Sequence, residues 1–365
     1  DGWVYLTSGL TGGKVTSPLR PEQPEITVGR TDLRFHPDTG ELQACDGGAQ
    51  FGLTFDEFGH RFICYNRVHV QHVVLASHWL RRNPHLPFSD TIENCPAEMA
   101  PEPLKGHGSS ARLFPISQNV TTADSHAGTF TAACGVLVYR GTALPEQYRG
   151  GVFACDPTGN LVHFDRLEAN GATFRAHRIV PDREVVASRD DWFRPVYLAN
   201  GPDGALYVCD MYRKTIEHPD YLPAEIRKHT DFVSGKNRGH IYRLVAADAN
   251  PQELAKRRAQ RLDGATTAQL CQALSAVDGW QRDTAQRLLI ERNDPAAIPV
   301  LSKLVGAQLP ASVHALYLLS ILGKLDAGEL MVALQHPSPR VREVAVELAS
   351  SQKELLAAVS TRLVE

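Results

Sequence analysis

Two groups of residues in this sequence have the types and spacing to do chemistry. The denser one runs through Ser188-Arg-Asp-Asp-Trp-Phe-Arg-Pro195 and then Asp210-Met-Tyr-Arg-Lys-Thr-Ile-Glu-His-Pro219. It gathers Arg189, Asp190, Asp191, Arg194, Asp210, Arg213, Glu217 and His218. Arginine presents bidentate donors to carboxylates or ring oxygens, and a histidine beside a carboxylate can take the proton released in a hydride transfer. On the functional reading Arg189, Arg194 and Arg213 hold an anion or cofactor and Asp210 orients them. On the plainer reading they form an Arg–Asp network that pins neighbouring strands together. Histidines make the second group: His69 and His72 after the apolar run Phe62–Tyr65, His126 beside Gly128, and His163 after Leu161-Val162. His69 and His72, three residues apart, suit a metal only if that stretch is helical, and no metal is assigned. His163 or His69 is the candidate general base, set against an ordinary hydrogen-bonded histidine.

The elements that must position these groups change character along the chain. Up to about residue 246 a recurring phrase sets an Asp, then a Gly, then a short apolar run. It occurs at Asp1-Gly2, Asp38-Thr-Gly40, Asp56-Glu-Phe-Gly59, Asp156-Pro-Thr-Gly159 and Asp203-Gly204. The Asp bonds its own following backbone and the Gly takes the positive φ of a tight reversal, so each phrase predicts a turn between antiparallel strands. The step from Asp156 to Asp203 is close to one four-stranded blade, which predicts a β-propeller, incomplete at its N-terminus, over 1–246. A β-sandwich uses the same turns but needs the Pro-, Gly- and Ser-rich stretch 83–125 as a large excursion. In a propeller that stretch reads as an insertion forming a lid over one face. From Pro251 the period becomes helical, and Pro at a first helical turn is favourable. Short Asp-Pro and His-Pro breaks followed by Val341-Arg-Glu-Val-Ala345 predict a HEAT-like α-helical solenoid over 251–365, with further repeats expected beyond it.

Composition narrows the classes. With 38 basic and 41 acidic residues the charges nearly cancel, which argues against a nucleic-acid partner. No apolar run approaches the length of a membrane span, so membrane association is expected only through parts of a longer chain. The absence of a starting Met and signal peptide fits such a piece. Seven cysteines without a CxxC are too few for a disulfide framework, and without CxxCH no covalent haem attaches here. Cys64, Cys155 and Cys209 read as small buried core residues, and Cys95 beside Pro96 as the best-placed partner if one disulfide forms. Rossmann, P-loop, nucleophile-elbow and HExxH signatures are absent. Asn119-Val-Thr121 matches a glycosylation acceptor.

The phrases Gln50–His69, Ala133–Gly141, Asn160–His163, Ala187–Val196, Asp203–Arg213, Ile216–Pro219, Ser234–Arg243 and Gly279–Leu288 are long and specific. Together they resemble the membrane-bound dehydrogenases of planctomycetes and verrucomicrobia. The resemblance implies a propeller like that of soluble quinoprotein sugar dehydrogenases, followed by HEAT repeats and often a c-type cytochrome module. It implies oxidation of a sugar or polyol in an extracytoplasmic, for example periplasmic, location, with electrons passed to a haem outside this segment. Pyrroloquinoline quinone and calcium are the cofactors it implies, with arginines and a lysine holding the quinone and a histidine removing the substrate proton. The alternative is a non-catalytic propeller that binds glycans or a protein, with the helical repeats as a docking surface.

Overall fold

The turns and strands predicted from the Asp–Gly phrases form as antiparallel sheets in the computed structural model, which describes residues 1–9, 11–98, 110–118, 128–216 and 219–364. The chain opens with β1 (Val4–Leu6), β2 (Gly13–Val15), β3 (Ile26–Val28), β4 (Asp32–Phe35) and β5 (Leu42–Cys45). β1, β4 and β5 make one sheet, and β2 and β3 a separate hairpin. A second sheet holds β6 (Leu53–Phe55), β7 (Arg61–Tyr65), β8 (Val68–Val73) and β9 (Ile92–Asn94) in order. The third holds β10 (Cys134–Val138), β11 (Val152–Asp156), β12 (Leu161–Asn170) and β13 (Thr173–Arg178), with β14 (Val186–Ala187) paired to β12. The fourth is β15 (Pro195–Asn200), β16 (Leu206–Asp210) and β17 (His240–Leu244). The sheets are open, and the third stacks against both the second and the fourth, β10 touching β6 and β15.

The turn chemistry follows the sequence at Asp56 and Asp203 and shifts at two other phrases; after Asp38 it is Thr39 Oγ1 that accepts from Glu41 N. Asp56 Oδ1 accepts from the backbone of Phe58 and His60, and Asp203 Oδ1 from Ala205 N. In the turn after β11, Asp156 Oδ1 accepts from Gly159 N at 2.7 Å, but the positive φ falls on Asn160 (54°). Asn is one of the few non-glycine residues that visit that region, and here long-range bonds hold it: Asn160 donates to Phe193 O and accepts from Ser117 Oγ. Glycine is indispensable at Gly135 in β10. With φ at 61°, any Cβ there meets Tyr197 Cα at 2.8 Å, so the close approach of the third and fourth sheets depends on the missing side chain.

Two expectations change. Part of 83–125 belongs to the sheet framework: β9 pairs with β8, and Arg112 bridges Thr129. Residues 99–109 and 119–125 of the expected lid, and with them the Asn119 acceptor, lie outside the described residues. All seven cysteines are free thiols, and Cys209 is half-buried where Cys64 and Cys155 are buried. Cys95 is buried with its sulfur facing the Glu93 carbonyl.

Beyond Leu244 the chain is helical from α3 (Pro251–Ala259) onward; two short helices, α1 (Ser77–Leu80) and α2 (Ala224–His229), precede it. α4 (Thr267–Ala273) and α5 (Gly279–Arg292) pack together, as do α6 (Ile298–Leu304) with α7 (Ala311–Ile321) and α8 (Ala327–Leu334) with α9 (Pro339–Ser351). α10 (Lys353–Val364) packs on α8 and α9. Caps fix the starts: Thr266 with Gln269 and Asp326 with Glu329 form capping boxes, and Asn250 caps Pro251. Apolar faces of α4 to α10 share one core, and no described helix is long and apolar enough to cross a membrane. Charged pairs tie this region to the sheets. Arg140 makes a bidentate pair with Asp283 at 2.8 Å, and Arg282 reaches Glu57.

Candidate functional site

Strand geometry builds the most concentrated polar cluster. Alternate residues of a strand share a face, so His163 and Asp165 of β12 point the same way. Arg178 stands opposite Asp165 on β13. The neighbouring sheet supplies His69 from β8, and the short run into β14 supplies Glu184. His69 Nε2 lies 2.9 Å from Asp165 Oδ2, and His163 Nε2 lies 3.0 Å from Asp165 Oδ1. His163 Nδ1 meets Glu184 Oε2 at 2.8 Å, and Glu184 Oε1 accepts from Arg178 Nη2 and from Phe114 N, both at 3.0 Å. Arg178 Nη2 also passes 3.1 Å from His163 Nδ1 on its way to Glu184. Phe130 stacks on His69 with ring centroids 4.5 Å apart and closes the cluster from the other side.

Four of the five ionisable members, all but Arg178, are sealed from solvent. The side chains of His69, His163, Asp165 and Glu184 are 0%, 2%, 5% and 0% exposed. Burial disfavours a charged His163, yet Asp165 and Glu184 outweigh it and raise its pKa to about 9. The same contact holds Asp165 well below the usual carboxylate range despite its own burial. Burial prevails at His69, whose pKa falls in spite of Asp165. At neutral pH the network is therefore an imidazolium between two carboxylates beside a neutral imidazole. Two buried ring nitrogens lack hydrogen-bond partners, His69 Nδ1 and His163 Nε2; the latter is near Asp165 Oδ1 but outside hydrogen-bonding angles. His69, His163 and Asp165 each offer a ligand atom, all within 4.8 Å of one another, and form the one such group found among the described residues.

A cleft of about 790 Å3 lies against this network. Arg112, Phe114, Ile116, Asp182, Arg183 and Glu184 are among its walls. The Arg178 guanidinium sits 4.9 Å and that of Arg112 5.6 Å from the Phe114 ring centroid. The cleft thus sets an aromatic ring among guanidinium and carboxylate groups.

The second predicted group goes elsewhere. Arg194 donates from Nε to Arg213 O, from Nη1 to Pro157 O and from Nη2 to Lys214 O, so it clasps irregular backbone. Asp210 is buried and accepts from the backbone of Arg194 (2.7 Å) and Tyr212 (2.8 Å). Arg213 donates to Val233 O, and Arg189 is exposed. Asp190 meets Tyr212 Oη, and Asp191 pairs with Lys214. Among the described residues none of these side chains shares a partner with the His69–Asp165–His163 cluster. The expected convergence of arginines and histidines on one opening is thus corrected to two separate groups. The Arg194 guanidinium is taken up by three backbone carbonyls and that of Arg213 by Val233 O. Glu217, His218 and His126 lie outside the described residues. His72 does not join His69: it faces Thr173 Oγ1 and stacks on Phe62.

Asp165, Glu184, Arg178 and Phe130 were not anticipated from the sequence. His163-Phe-Asp165 carries the one local signal, an imidazole and a carboxylate two apart in a strand and hence on one face. Glu184 and Arg178 carry none, because their meeting depends on how β13 and β14 flank β12. The chain belongs to the family described as a domain of unknown function, DUF7133, whose model matches residues 1–248. The match spans all four sheets and both histidines. No curated protein matches the chain.

Proposed function

We propose that residues 1–246 form part of a β-propeller of the sugar-dehydrogenase kind, followed by HEAT-like repeats, and that the chain serves the oxidation of a sugar or polyol. Support for the propeller comes from four successive antiparallel sheets in chain order, with the leading strands β6, β10 and β15 in contact. The carrying observation for function is the polar–aromatic cleft backed by the Glu184–His163–Asp165–His69 network. In this reading the cleft holds the polyol and the network handles the proton. A hydroxyl becomes a carbonyl: its O–H proton goes to the network, and the C–H hydrogen would leave as a hydride to a two-electron acceptor of the quinone class, which would release the second proton to solvent and pass the electrons singly to a c-type haem module outside this segment, in an extracytoplasmic setting. Arg189, Arg194, Arg213 and Asp210 take no part in it. Pyrroloquinoline quinone and calcium, implied by the resemblance, enter as additions in the assay.

A second reading, a non-catalytic glycan-binding module, draws support from the sealing of His69, His163, Asp165 and Glu184 behind the cleft floor. One experiment separates the two. The purified chain is titrated calorimetrically with a panel of sugars and polyols, and dye reduction is followed in parallel with and without quinone and calcium. Binding weakened by Phe114→Ala together with dye reduction lost in His163→Gln supports the first reading. Binding without dye reduction supports the second, and no binding at all overturns both.

A further inference from the structure

We propose that His69, His163 and Asp165 bind a divalent transition-metal ion. The inference goes beyond the reading above and holds whether the chain oxidises its ligand or only binds it. Two imidazoles and a carboxylate are a common donor set for zinc, iron and manganese, whose borderline character suits mixed nitrogen and oxygen ligation. Here the set is drawn from two different sheets, by β8 and β12, onto one buried point. His69 Nε2 lies 2.9 Å from Asp165 Oδ2 and His163 Nε2 3.0 Å from Asp165 Oδ1, and the ligand atoms offered by the three residues all lie within 4.8 Å of one another.

A second observation is independent of that spacing. His163 Nε2 is buried, lies within 3.0 Å of Asp165 Oδ1, and yet makes no hydrogen bond. The far side of the ring is built as the outer shell of a metal site is built: Nδ1 faces Glu184, which Arg178 and the Phe114 N–H hold in place. An incoming ion must displace the His163 proton to solvent; both imidazoles are then neutral, and Asp165 and Glu184 exceed Arg178 by one negative charge, which the cation offsets. His69 sets a limit on affinity. Ligation through Nε2 puts its proton on Nδ1, which has no partner, so binding is expected to be weaker than at a closed structural zinc site.

The test uses the full chain. It is stripped with a chelator and titrated with Co2+, following visible absorption and the thermal midpoint. A single equivalent is expected to produce ligand-field bands, and the midpoint should rise with Co2+ concentration, as for any ligand of the native state. His69→Gln and Asp165→Asn should lose both responses. Should these variants fail to fold, X-ray absorption on Co2+-loaded wild type counts the imidazoles directly, with two expected. Folded wild type showing no bands and no midpoint change, or bound cobalt without imidazole ligation, overturns the proposal. Metal binding without any response to the sugar panel supports this inference while overturning the function proposed above, and the converse result does the reverse.

Discussion

Raising the pH should loosen the helical region from the sheets through a single residue, His60. It follows the Asp56 turn, with Nδ1 2.6 Å from Asp56 Oδ2 and Nε2 3.2 Å from Glu343 Oε1 on α9. Burial works against the imidazolium, but the hydrogen bonds to Asp56 and Glu343 outweigh it and raise the pKa to about 9. Arg340 Nη1, 3.2 Å from the same Nε2, opposes the charge, whereas the ring of His72, 5.6 Å away between centroids, has its pKa lowered to about 4 by burial and by His60 and stays neutral. In the unfolded chain the imidazole titrates near its ordinary ~6.5. Because the folded value is the higher one, the contribution is fully present below about pH 6.5 and is lost as pH rises through about 9. A shift of roughly 2.5 units corresponds to about 3 kcal/mol. Glu343 is half exposed, and screening of that arm brings the expected effect to about 1–2 kcal/mol. Urea unfolding of wild type and His60→Gln across pH 6 to 10 measures it. The stability gap should be about 1–2 kcal/mol at the acid end and shrink toward the alkaline end. A gap that stays constant over that range would falsify the account.

Three further outcomes follow from contacts described above. Arg282→Ala removes donors to Ala276 O and Val277 O and one of the two arginines at Glu57, so urea unfolding should show a loss of about 2–4 kcal/mol. Gly135→Ala drives a Cβ into the Tyr197 backbone at a positive φ and should cost about 2–3 kcal/mol in the same measurement, with no gain for any larger residue. Arg194→Ala should cost about 1–3 kcal/mol through its three abandoned carbonyls while leaving sugar affinity by calorimetry unchanged, and Arg189→Ala should alter neither.

The turns were legible because their signal is local. An Asp that bonds its own backbone and a Gly free to reverse the chain act within five residues, so β5, β7, β12 and β16 each begin where the phrase ends. The helices were legible for a similar reason, since caps such as Thr266 with Gln269 and a 3.6-residue apolar period are written consecutively. The histidine pair was half legible. Both rings were singled out, but what unites them is Asp165, and the His69–Asp165 contact joins β8 to β12 across two sheets. No local pattern encodes such a contact. Glu184 was less visible still: it sits in an irregular run, and its partners come from β12, β13 and the 110–118 segment.

The arginine-rich runs misled for a reason that generalises. Irregular backbone cannot satisfy its own carbonyls, and a buried one left unpaired is costly. Around Pro157, Arg213 and Lys214 the chain has no strand to supply donors, and Arg194 supplies them instead. A guanidinium near turns and prolines thus has a structural task waiting for it before any ligand arrives. The His69–Asp165–His163–Glu184 group is different in kind. It clasps little backbone, it takes two carboxylates out of water, and apolar side chains of similar volume generally fill such a place at no loss of stability. Folding alone gives no reason for four ionisable groups there. Holding an ion, or a proton, at a fixed point behind the cleft does, and that is the basis on which both the proposed site and its metal are to be judged.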